Sequence, residues 1–86
     1  MSTKGEPAYF PQKAPIKIIG VEGTLDPSAI QSIIVAQLGE QEEPQWRYNK
    51  KGSYISYTFW VELPDRASEE RLRKAIHALP GVVMQL

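Results

Sequence analysis

Eighty-six residues without a cysteine make one domain at most, with neither a disulfide nor a thiolate metal cluster to staple it. Ten basic and ten acidic residues cancel, which excludes a strongly cationic nucleic-acid groove, and 42% hydrophobic content argues against a disordered chain. The opening Met1-Ser2-Thr3-Lys4-Gly5-Glu6 has no apolar targeting core and no later run approaches the length of a membrane span, so the expectation is a cytoplasmic protein without a membrane partner.

Residues 1–14 carry Pro7 and Pro11 with few apolar side chains and read as a flexible tail before a single domain over 15–86. Ile16-Lys17-Ile18-Ile19-Gly20-Val21 has the β-branched composition of a strand. Asp26 then stands as an N-cap ahead of Pro27 at the first helical position, where a missing N–H costs nothing. Ile30, Ile33, Ile34 and Leu38 follow on one helical face, and Gly39 closes a helix predicted over 27–38.

After the charged connection Glu40-Gln41-Glu42-Glu43-Pro44, a strand over 45–48, a turn Asn49-Lys50-Lys51-Gly52 and a strand over 53–63 form a hairpin. In the long strand Ile55, Tyr57, Phe59, Val61 and Leu63 share one parity, while Tyr54, Ser56, Thr58, Trp60 and Glu62 share the other. Alternation of that length places one row in the core and the other on the opposite face. Ser68 is expected to cap a second helix whose buried stripe is Leu72, Ala75, Ile76 and Leu79. Pro80-Gly81 stops it, and 82–86 form a last strand. The order β-α-β-β-α-β, with one apolar face per element, predicts an α+β two-layer sandwich of the ferredoxin-like kind: an antiparallel sheet with both helices on one face and the other face uncovered.

Phe10-Pro11, the strand segment 16–20, Lys51-Gly52-Ser53-Tyr54-Ile55-Ser56 and Leu79-Pro80-Gly81-Val82-Val83-Met84-Gln85-Leu86 together resemble the YbeD-like family of small uncharacterised bacterial proteins, over about residues 10–86. The resemblance implies a ferredoxin-like fold similar to the ACT regulatory domains of amino-acid metabolism. It implies a family for which no catalytic activity is established.

The side chains themselves point away from chemistry. His77 is the one histidine, and its helical position turns it about 150° from the apolar stripe, away from Ser53 and Ser56 on the sheet. No catalytic, cofactor-binding or metal-ligating residue is expected: there is no second histidine, and the acidic run 40–43 lacks the alternating ligands of a calcium loop. Gly20 and Gly23, before the first helix, are candidates for a loop that admits an amino acid or similar metabolite, or simply relieve a tight turn. Lys51-Gly52 matches the opening of the aromatic motif of RNA-recognition domains, but the parity of Lys51 continued along the chain falls on Ser53, Ile55, Tyr57 and Phe59, which belong to the core.

The uncovered face is expected to carry Tyr54, Ser56, Thr58 and Trp60, joined by Lys17 and Arg47. Large aromatics beside an arginine are typical interface anchors. The favoured reading is therefore a non-catalytic regulatory or adaptor domain acting by contact with a protein partner, most simply a second copy in a homodimer. The alternative is an ACT-like small-ligand sensor at Gly20 and Gly23, and the third is weak RNA binding.

Overall fold

A computed structural model describes residues 10–41 and 46–86. Six elements follow in order: β1 (Gln12–Val21), α1 (Pro27–Leu38), β2 (Trp46–Lys51), β3 (Tyr54–Leu63), α2 (Arg66–His77) and β4 (Val82–Gln85). The strands form one sheet in the order β2-β3-β1-β4, with every neighbouring pair antiparallel. This is the βαββαβ α+β arrangement that the element order predicted.

Strand β1 starts at Gln12, four residues ahead of the expected Ile16, so residues 12–14 lie in the sheet and not in a tail. The backbone shows how Pro15 is accommodated. Lys17 donates to the Leu86 carbonyl at 3.2 Å and accepts from the Leu86 N–H at 2.8 Å, so odd-numbered residues of β1 turn their peptide groups toward β4. The pairing with Leu86 reaches no further along β1 than Lys17, and among the described residues the N–H that proline lacks has no strand to meet there. Phe10 packs at the margin of the core. Residues 1–9, the rest of the expected tail, lie outside the described residues, as does Gln45.

The hairpin is tighter than the spacing suggested. Strand β2 runs through Lys51, which pairs directly with Tyr54, leaving Gly52-Ser53 as a two-residue turn. Gly52 has φ +62°, and glycine at the first turn position is what a twist-matched hairpin of this length requires.

Helix α1 begins as expected. The Asp26 carboxylate accepts the Ser28 N–H at 2.9 Å and Pro27 follows the cap, with Ile30 and Ile34 sealed in the core. Helix α2 begins earlier than its serine suggested. Asp65 is the cap, in extended conformation, and its Oδ1 accepts the Ser68 N–H at 2.7 Å. Ser68 is instead a buried residue of the first turn, and its hydroxyl accepts from Arg71 at 3.2 Å. Glu69 and Arg73 add an i,i+4 ion pair at 3.1 Å.

One buried cluster joins Ile16 and Ile18 of β1, Ile55, Tyr57, Phe59, Val61 and Leu63 of β3, Ile30 and Ile34 of α1, and Leu72 and Ile76 of α2. Both helices therefore seal the same face of the sheet. Tyr57 is 8% exposed and Phe59 2%, so both rings turn inward, and Trp46 of β2 tilts against Phe59 with ring centroids 5.6 Å apart. At the far end β1 and β4 meet at close range. A methyl group on Gly20 would strike the Gly81 carbonyl and approach Leu25 Cδ2 to 2.7 Å, so a side chain there would have no room.

Two stability outcomes follow from this packing. Phe59→Ala and Ile34→Ala should each cost about 2–5 kcal/mol in denaturant unfolding, whereas Thr58→Ala should cost under about 1 kcal/mol; equal losses at Phe59 and Thr58 would contradict the facing. The N–H and hydroxyl of Ser68, bonded to Asp65, hold that carboxyl below its ordinary value of 3.8. A lowered folded pKa contributes stability that is complete above the unfolded value and disappears as pH falls through the folded one. Acid unfolding of Asp65→Asn should accordingly be less steep below pH 3.8 than that of the parent chain; an unchanged acid limb would show that the cap contributes nothing.

Candidate functional site: the open sheet face

Residues directly opposite in an antiparallel pair share a face, so the strand register lays the open face out in rows. Lys51, Tyr54 and Val21 form one row across β2, β3 and β1. Asn49, Ser56, Ile19 and Met84 form the next, across all four strands. Arg47, Thr58 and Lys17 continue to Leu86 through the backbone pair described above. Trp60 then lies opposite Pro15, and Glu62 opposite Lys13.

All six residues assigned to this face from the sequence are on it: Lys17, Arg47, Tyr54, Ser56, Thr58 and Trp60. They are not equally accessible. Tyr54 is 52% and Trp60 45% exposed, whereas Ser56 is only 9% exposed. The Ser56 hydroxyl donates to the Asn49 carbonyl at 3.4 Å, so it serves as floor. Above it lies a shallow depression of about 370 Å³, lined by Lys17, Ile19, Asn49, Lys51 and the successive residues Tyr54, Ile55 and Ser56.

Several residues of this face, Asn49 and Ile19 among them, were not assigned to it from the sequence, and four bear most on its chemistry. Lys51 is on this face because the two-residue turn resets the parity: counting straight on from Lys51 to Ser53 and Ile55 ignores that the chain reverses between them. The motif comparison with RNA-recognition domains therefore placed Lys51 on the wrong side, although Tyr57 and Phe59 do lie in the core as that comparison held. Val21, Met84 and Leu86 are the other three, all exposed. The register shifts between Ile19 and Gly20, which pair with Met84 and Val82, so Val83 is an extra residue in β4. Such a bulge inverts the parity of everything after it, and no composition signal marks it.

Charge is distributed unevenly over the face. The β1–β4 side is aliphatic, with Val21, Ile19, Met84 and Leu86, while Lys17 stands at the centre and Arg47 and Lys51 along β2. None of these three cations has an ion pair among the described residues. Glu62 is the only acidic residue in the rows. Lys50, between Arg47 and Lys51 in height, points to the other face and pairs with Glu22 at 2.8 Å, whose hydrogen bond and charge raise the ammonium pKa.

The remaining candidates lie elsewhere. Gly20 is buried with its open side filled by Leu25 and Gly81, while Gly23 sits exposed in the following turn at φ +89°. His77 is exposed at the end of α2, in the layer across the sheet from Ser56. No group of three or more metal-ligating side chains occurs among the described residues. No helix among them is long and apolar enough to cross a membrane.

No curated protein and no solved structure matches the chain. The family model described as "Protein of unknown function (DUF493)" matches residues 6–86, nearly the whole sequence, and the chain belongs to that family.

Proposed function

We propose that this is a non-catalytic regulatory or adaptor domain, of the YbeD-like kind with an ACT-like sandwich, that works in the cytoplasm by contact with a protein through its open sheet face. The observation that carries the reading is a single surface on which Tyr54, Trp60, Met84, Leu86 and Val21 are all exposed. Aromatic and methionine side chains are enriched where protein surfaces meet, and Val21, Met84 and Leu86 occupy successive rows of the face that Tyr54 and Trp60 share. The non-catalytic part rests on separation. The sole histidine is in the helix layer, whereas the Ser56 hydroxyl is on the opposite face and engaged with a backbone carbonyl.

Trp60 is the natural test position, because its ring is exposed and its removal leaves no hole in the core. Trp60→Glu should retain the fold by circular dichroism and thermal unfolding. It should lower retention of the native partner in affinity capture by about thirtyfold, the equivalent of the roughly 2 kcal/mol that marks an interface anchor. Recovery of the same partners in the same yield by the folded variant would retire the contact surface.

A further inference from the structure

We infer that the open face takes an acidic polypeptide segment with apolar side chains, not a second copy of this chain. The inference rests on the protein-contact reading above and specifies the partner's chemistry.

The chain as a whole is neutral, yet its open face is not. Lys17, Arg47 and Lys51 stand there without a counter-ion among the described residues, and the one acid of the rows, Glu62, is beside Lys13 at the end of the sheet. Glu22 and Glu69 pair with Lys50 and Arg73, off this face. Two copies packed face to face about a two-fold axis would bring both sets of cations into one layer stripped of water. Like charges in such a layer oppose association, whereas carboxylates in the same places are attracted and steered in.

The shape agrees with the charge. The depression between Lys17 and Lys51 has Ile19 and Ser56 beneath it and Tyr54 at its side, so it accepts an apolar side chain while the two ammonium groups meet flanking carboxylates. A single-stranded nucleic acid fits less well. Tyr54 and Trp60 are six residues apart on one strand, about 20 Å at the rise of a β-strand, against about 3.4 Å per nucleotide along a stacked strand. The aliphatic half, with Ile19, Met84 and Leu86, offers no ring on which a base can stack.

Amide chemical shifts of the full chain, titrated with three probes, test this. The probes are a blocked decapeptide of alternating Glu and Leu, the same peptide with Lys in place of Glu, and decauridylate. The acidic peptide should move the amides of Lys17, Ile19, Asn49, Lys51 and Tyr54. Its affinity should fall about tenfold in Lys17→Glu/Lys51→Glu and fall again between about 50 and 300 mM salt. Lys51→Glu alone, at an exposed position beside the turn, should lose about threefold and covers the case in which the double variant does not fold. Absence of shifts at millimolar acidic peptide overturns the inference, as does stronger binding of the lysine peptide or of decauridylate. So does a dimer that Trp60→Glu dissolves. Native-partner capture separates the two levels: a partner lost in Trp60→Glu but kept at full yield in Lys17→Glu/Lys51→Glu removes the charge argument alone, while a partner kept in both removes the contact surface itself.

Discussion

Everything in this molecule depends on the facing of one strand. Strand β3 is paired along its whole length with β1 and along most of it with β2, so its register is fixed from both sides. Ile55, Tyr57, Phe59, Val61 and Leu63 are thereby committed to the helices, and Tyr54, Ser56, Thr58 and Trp60 to the opposite side. A one-residue slip would exchange the two rows, burying polar groups and placing five core side chains in water. With about 1.5–3 kcal/mol for burying each large apolar side chain, the slipped arrangement is far from competitive.

The same commitment leaves the opposite face of the sheet open. The described residues form two helices, both packed on one face, and give the other face of the sheet no cover of its own. A sheet face that meets only water alternates polar side chains against the core side. Here the outward rows instead hold Tyr54, Trp60, Val21, Met84 and Leu86. Exposing those groups gains nothing for the isolated fold, and the proposed contact rests on that exposure. The zero net charge conceals a local excess: Lys17, Arg47 and Lys51 stand in the rows of the open face, where Glu62 is the one acid.

The periodic parts of the architecture were legible in the sequence. The alternation of β3, the Asp26-Pro27 start of α1 and the six residues first assigned to the open face all depend on local spacing, which a linear reading captures. Discrepancies arose where one residue decides between two geometries. Asp65 and Ser68 are both capping types, and the aspartate wins because its carboxylate reaches the Ser68 N–H at 2.7 Å, leaving the serine inside the helix. The first strand was expected only from Ile16, but β1 runs back through Pro15, which sits where β1 has lost its β4 neighbour and so costs the ladder nothing. A two-residue turn in place of four put Lys51 on the open face, and the extra residue Val83 did the same for Met84 and Leu86. Turn length and bulges are properties of pairing between strands, and pairing is what a single chain read end to end does not display.

The two tyrosines of β3 give the most direct measurement of this facing, because they share one chemistry and differ only in which side of the sheet they occupy. Hydroxyl-radical footprinting of the folded chain, read by mass spectrometry, should oxidise Tyr54 many times faster than Tyr57, with Trp60 also reactive and Phe59 protected. Comparable rates at Tyr54 and Tyr57, or faster reaction at Tyr57, would contradict the orientation from which both the core and the proposed contact surface are derived.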